Sequence, residues 1–344
     1  MSIPFITGGG RAVECVGSDP AALAERAVAM ARVSPEDPYQ GLADPDRLAR
    51  EIADLDLIDD TEVTAERLKE DALAAEEAAL AVPGVTNSSG AGASAGSGGL
   101  VLATSHGFVG QYRATRFSRS VSVIAGEGTG MERDWDYSSR LHFADLDPPE
   151  KIGRTAGERA VRRLGARRVK TAIFPVVYDP RVARGIAGHI AAAINGASVA
   201  RKTSFLRDMM GKQIASAAMT ITDDPFRRRG QSSRPFDGEG VAGERLTPVE
   251  KAVLTAWLLS TSSARELGLE TNGRGVRASS SVNPSSTNFA IEPGEISPEE
   301  LISPIRSGFY VTEVFGQGVN LVTGEYSRGA SGFWIENGTI AYPV

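Results

Sequence analysis

Residues 176–206 read VVYDPRVARGIAGHIAAAINGASVARKTSFL, and the fold turns on how this stretch is read. A β-branched run ends at Asp179-Pro180, an N-cap followed by a proline in the first helical turn, where the missing N–H costs nothing. Val182, Ile186, Ile190, Ala193 and Ile194 then recur at helical spacing, and Asn195-Gly196 is expected to supply a left-handed stop. A buried strand therefore feeds a buried helix, with one histidine, His189, at the edge of the apolar face.

Working outward, the same punctuation recurs. Asp19-Pro20 opens a helix whose buried stripe is Leu23, Ala27, Met30 and Ala31, and Ser34-Pro35 closes it. PEDPYQGLADPDRL (35–48) is a proline-punctuated surface loop, and a second helix spans 64–80 up to Val82-Pro83-Gly84. MSIPFITGGGRAVECVG reads as strand-like fragments around a glycine turn, expected to be the remnant of an N-terminal domain. Residues 85–143 alternate like strands between glycine turns and predict a β-meander, with SSGAGASAGSGG read as a flexible turn. Residues 151–164 predict a helix closed by Gly165. Beyond the opening stretch, VARKTSFLRDMMGKQIA reads as helical near its end. AMTITDDP, the AVLTAWLLST run and the C-terminal residues read as strand and turn, with a hairpin at Glu336-Asn337-Gly338-Thr339. The class is α+β: residues 1–17 as the remnant, 18–165 as a helix-and-antiparallel-sheet central domain, and 166–344 as a strand-rich C-terminal domain.

Hydrophobic residues make up 41% and charged residues 23% of the 344, enough for a sizeable core. With a net charge of −6, no whole-molecule field favours nucleic acid or an anionic membrane. The single cysteine, Cys15, excludes an intrachain disulfide framework and suits a reducing compartment. Neither a leader pattern nor a membrane-spanning run is visible, so a cytoplasmic location is expected.

Catalytic zinc needs about three protein ligands. The chain has three histidines, His106, His142 and His189, none within helical reach of another, and neither HExxH nor CxxC occurs. A packed, structural role for His189 outweighs a ligand role. Gly126-Glu127-Gly128-Thr129-Gly130 precedes an alternating segment and no helix, so it reads as a hairpin and not a phosphate loop. Arg159, Arg162, Arg163, Arg167 and Arg168 read as a solvated, basic helix end, and Arg227-Arg228-Arg229 as a basic loop. No GxSxG elbow points to a serine hydrolase. These residues alone leave the function open.

Four long segments nevertheless occur in a familiar order: GHIAAAINGASVARKTSFL, SRPFDGEGV (233–241), STSSARELGLETNG (260–273) and GQGVNLVTGEYSRGASGFWIENGTIAYPV. EDPYQGLAD, ATSHGF, SVSVIAGEGTGMERDWDYSS and RRLGARRVKT precede them. Together they resemble the PmbA/TldE branch of the TldD/PmbA proteins over nearly the whole chain. The resemblance implies a cytosolic metallopeptidase made of TldD- and TldE-type subunits that acts on small or unfolded peptides, including an antibiotic precursor and an antitoxin. The label "modulator of DNA gyrase" is a genetic one. TldD-type subunits carry zinc on an HExxxH helix, completed by a cysteine near the C-terminus.

Placed on that pattern, Gly188 stands at the first histidine, His189 at the glutamate and Ala193 at the second histidine. A one-residue slip gives His189, Ile190 and Ile194. Neither register supplies two ligands and a base, and Cys15 lies toward the wrong end to be the third ligand. The resemblance thus implies a non-catalytic subunit with no zinc of its own, the metal sitting in a TldD-type partner. Arg201, Lys202, Ser204 and Arg265 are candidate peptide or interface contacts. Expected partners are a TldD-type subunit or a second copy of the chain, and small unfolded peptides, with neither membrane nor nucleic acid. Two other readings are kept: a stand-alone protein binding an antitoxin or gyrase-associated factor, and a homodimeric hydrolase with a dispersed site. Against the family pattern the chain is expected to lack most of an N-terminal domain and further C-terminal strands.

Overall fold

The computed structural model describes residues 2–6 and 12–16 as backbone, and 19–278 and 281–344 in full. Strands β1 (Ser2–Ile6) and β2 (Ala12–Val16) pair antiparallel; the glycine turn between them and the Cys15 side chain lie outside the described residues. Helix α1 (Pro20–Val33) starts where Asp19 accepts from the amides of Ala21 and Ala22, as its cap-then-proline signal predicts. Helix α2 (Ala65–Leu80) is capped by Thr64. It packs with α3 (Pro149–Arg162) on a three-stranded antiparallel sheet of β3 (Val85–Ala103), β4 (Val109–Ala125) and β5 (Glu132–Arg140). Ala75, Ala79, Val121, Val123, Ile152, Ala156 and Ala160 form the core between these layers. The two helices approach closely at Gly153, where a Cβ would fall 2.1 Å from the Ala75 carbonyl oxygen.

The meander is present, but SSGAGASAGSGG is no turn: it is the middle of β3, registered residue by residue against β4 from Gly90↔Ser122 to Gly99↔Arg113. Its small residues carry little intrinsic strand preference; cross-strand pairing imposes the state. The turn after β4 contains Gly128–Gly130 as a short 3₁₀ segment and leads directly into β5, as a hairpin should.

Three further sheets follow. Strand β6 (Val176–Tyr178) is shorter than the sequence suggests. It precedes α4 (Pro180–Ala193) and α5 (Gly196–Ala200). β7 (Ile221–Asp224), β8 (Leu246–Glu250) and β9 (Val253–Leu254) lead to helix α6 (Thr261–Leu267). Next come β10 (Gly275–Ala278), β11 (Ser281–Pro284), β12 (Asn288–Ile291) and helix α7 (Pro298–Ile302). β13 (Ser307–Phe315), β14 (Gly329–Glu336) and β15 (Thr339–Pro343) follow α7. One sheet runs β12-β7-β8-β9, another β15-β14-β13-β6, and β10 and β11 form a two-stranded pair.

Three expectations need correction here. Asn195-Gly196 does not stop α4 with a left-handed residue. Asn195 is extended and caps α5, accepting from the amides of Ala197 and Ser198. The segment after α5 forms turns and an isolated Gln213↔Val253 bridge, not a helix. Helix α6, read as strand and turn, is instead nucleated by the Ser260/Ser263 capping box and closed by Gly268 in the left-handed conformation. The Asn337-Gly338 turn between β14 and β15 has positive φ at both residues, as a primed hairpin turn requires.

The basic end of α3 is solvated only in part: Arg162, Arg167 and Arg168 are exposed, whereas Arg159 and Arg163 are half-buried in ion pairs. Arg163 reaches Glu132 and Asp134 of β5 and Glu313 of β13, at 3.4, 3.5 and 2.6 Å. Arg159 pairs with Asp136, Arg162 lies over the Phe333 ring and Arg167 over Tyr342. Buried Asp134 also holds Arg181 of α4 at 2.9 Å. Arg181 shares Asp179 with the Tyr310 hydroxyl, whose pKa burial and that carboxylate push up to about 12. These groups fix the first turn of α4 to both the central layer and the C-terminal sheet.

Candidate functional site

The C-terminal half of α4 is anchored in the largest core cluster, where Ala193 and Ile194 are fully buried with Val199, Ile221, Leu254 and Leu258. Its middle faces a cavity of about 570 Å³, floored by Ala183, Ala187, Gly188 and Ala191 and walled on the far side by Phe289, Ala290 and Ile291 of β12. Small residues at helical spacing leave this face low. A Cβ on Gly188 would meet nothing within 4 Å.

β12 is the outermost strand of its sheet. The Glu292 amide donates to the Thr220 oxygen on the β7 side. By the alternation of an antiparallel ladder, Ala290 and Asn288 also turn inward, so the main chain of Phe289 and Ile291 points away from β7, with the Phe289 amide donating to the Thr287 carbonyl and the Phe289 and Ile291 carbonyls on the open edge. The strand is held from behind by Asp223, whose Oδ1 accepts from both the amide and hydroxyl of Thr287 while its Oδ2 binds the Arg274 Nε at 2.5 Å. Asp223 and Arg274 are both completely buried.

Of the metal-helix positions, Gly188 faces the cavity without a side chain and Ala193 is in the core. His189 is half-buried with its ring edge-on to Tyr326, centroids 6.0 Å apart. In the slipped register, Ile190 and Ile194 join the core cluster. Among the described residues no three His, Cys, Asp or Glu side chains converge as a metal site. His106 instead meets the Ala43 carbonyl oxygen, and His142 the Asp56 carbonyl oxygen. The donor set along α4 therefore does not fit a metallopeptidase zinc.

The candidate contacts do not gather on the groove. Ser204 is buried; its hydroxyl donates to the Ala193 carbonyl, tying the loop to the end of α4. Arg265 is engaged by the Leu42 carbonyl and Asp44. Arg201 and Lys202 are exposed beyond α5. His189→Ala should lower stability by about 1 kcal/mol through loss of the ring pair, measured by urea unfolding, with bound metal unchanged by elemental analysis. A larger change in metal than in stability would contradict a packing role.

Sequence reasoning missed the buried acids of SRPFDGEGV. Phe236 is fully buried, edge-on to Phe108 and Tyr112 near the tip of the β3–β4 hairpin. This anchors Asp237, which accepts from the amides of Glu239, Val241 and Gly275. Glu239 accepts from the Thr261 amide. Burial, then the neighbouring Asp237 carboxylate, push Glu239 up to about 7. The available signal was Asp237-Gly238-Glu239-Gly240, two acids each followed by a glycine; at Gly275, too, a Cβ would strike both carboxylates, so only a bare backbone fits.

Residues 58–164 match the PmbA/TldA metallopeptidase central domain, and residues 171–344 the C-terminal domain of the same family. The metalloprotease PmbA of Escherichia coli O157:H7 is 41% identical over 323 residues, covering 93% of this chain and 70% of that protein. A Bacteroides thetaiotaomicron protein named as a modulator of DNA gyrase superposes with a TM-score of 0.86 at 29% identity, over 100% of this chain and 78% of its own. TldE from Thermococcus kodakarensis shares the fold, with a TM-score of 0.83 at 20% identity over 99% and 78% of the two chains. A family domain matched over half the chain, and a relative this similar over most of its own length, leave one conclusion: the chain belongs to the PmbA/TldD metallopeptidase family, on its PmbA/TldE branch.

Proposed function

We propose that this chain is the non-catalytic, PmbA/TldE-type subunit of a two-subunit metallopeptidase, and that it holds an extended peptide along β12 while a TldD-type partner supplies the zinc. The observation that carries this reading is the pairing of an outermost strand with a low, small-residue helix face and, among the described residues, no ligand set between them. Strand addition binds through main-chain hydrogen bonds and tolerates many sequences, which suits small unfolded peptides. Arg184, over the Tyr137 ring at one end of the cavity, adds a cationic and aromatic flank for side chains.

The test mixes the purified chain with a TldD-type subunit and follows hydrolysis of an unstructured peptide. Activity should require the partner and be lost with chelator. Activity from this chain alone, abolished by chelator and restored by zinc, would sink the non-catalytic assignment. Gly188→Leu sharpens the test. The new side chain projects into the cavity without meeting other atoms at its Cβ, and helix propensity favours it by up to about 1 kcal/mol. Peptide hydrolysis by the mixture should fall at least about tenfold while thermal stability holds or rises. Unchanged hydrolysis would place the peptide elsewhere.

A further inference from the structure

A second cavity, of about 680 Å³, lies on the other side of the segment that enters β12, and Ser286 lines both it and the groove. Its walls are the backbone of Gly96–Gly99 in β3, a cluster of serines and two arginines, with no carboxylate among the lining residues. Arg116 is held over it by the Gln231 side-chain and main-chain oxygens, at 3.1 and 3.0 Å. Arg234 donates to the Ser285 carbonyl at 3.3 Å, while its buried Nε has no hydrogen-bond partner among the described residues. Among those residues, neither arginine has an ion-pair partner in the cavity. Burial accordingly holds the Arg234 guanidinium below its usual range, Asp237 offsetting this only in part. A largely desolvated cation with no ion-pair partner is costly, and an oxyanion accepting from it would offset that cost.

Chain direction identifies the oxyanion. The β12 sheet is antiparallel throughout. A peptide added in the same sense runs from the Ile291 end toward Asn288, and its C-terminal end arrives at Ser286. We propose that the Arg116–Arg234 cavity receives the C-terminal carboxylate of an extended peptide lying antiparallel on β12. The cavity then reads a free chain end, and its ligands are short peptides or trimmed tails, not internal stretches of a protein. This rests on peptide docking along β12.

Fluorescence anisotropy on the full chain tests it, using one labelled, unstructured peptide of about eight residues, a common strand length, as the free acid and as the C-terminal amide. The amide should bind about tenfold more weakly. Arg234→Gln, and separately the exposed Arg116→Gln, should bring the acid down to the amide's affinity and leave the amide unchanged. Thermal shift with N-acetylglycine probes the cavity without the groove: it should protect the native chain and not Arg116→Gln. Protection by N-acetylglycine when neither peptide binds would keep the cavity and remove docking on β12. Equal binding of acid and amide without N-acetylglycine protection would overturn the carboxylate cavity, as would protection by inorganic phosphate alone.

Discussion

Asp223→Ala should be among the most damaging single substitutions in the C-terminal half, lowering stability by about 3–5 kcal/mol. The alanine leaves the Arg274 guanidinium fully buried with its charge uncompensated. Three remaining acceptors, the carbonyls of Asn272, Asp223 and Glu244, are dipoles and cannot replace a carboxylate. The same change frees the Thr287 amide and hydroxyl, so β12 loses its rear anchor and peptide affinity should fall with stability. Arg274→Met should cost a comparable amount by stranding the aspartate. The double variant should lose less than the sum, because no charge is left behind. Urea unfolding of the four proteins checks this, and a loss under about 1 kcal/mol in Asp223→Ala would contradict the assigned role.

The second large effect is on pH dependence. Glu239 starts from an ordinary value of 4.5 and is raised to about 7 in the fold. Between those values the folded chain retains a proton that the unfolded chain has released, so stability declines as pH rises through the window and levels off above it. Asp237, raised chiefly by its own burial, acts in the same direction. Glu239→Gln keeps an oxygen for the Thr261 amide and removes the charge. It should be more stable than the native chain at pH 8 by about 3 kcal/mol, since each pH unit between the two values is worth about 1.4 kcal/mol, and nearly equal to it at pH 4. Urea midpoints at the two pH values decide the matter. An identical slope in both proteins would mean that Glu239 does not titrate in this range.

Elements whose ends carry their own chemistry were legible in the sequence. Asp19-Pro20, Thr64 and Asp179-Pro180 each placed a helix start to within about a residue, because a cap is a local interaction. The Asn337-Gly338 turn was legible for the same reason. β3 was not, since glycine, alanine and serine become strand there only through β4, residues away in the chain. Asn195 was assigned to the wrong helix: an Asn-Gly pair suits a stop and a start equally, and the choice is made by the Ile194–Leu258 contacts. At the site, the placing of Gly188, His189 and Ala193 on one helix was legible in the letters, because the cap that starts α4 is local. The groove was not, because it needs β12 opposite the helix. Nor was the Arg116–Arg234 cavity, since nothing in QSSRPF says that its arginine lacks an acid.

The parallel pairing of β6 with β13 has a kinetic consequence. Tyr310 and Asp179, bonded across that pairing, are separated by 131 residues, so the strand that launches α4 cannot settle until β13 has emerged and closed a very long loop. During synthesis the central layer can fold first, on its own near-neighbour contacts, leaving the α4 side of the candidate groove to form later. On the proposed function, a growing chain would thus have no finished groove with which to seize other unfolded segments, its own included, until β13 has been made.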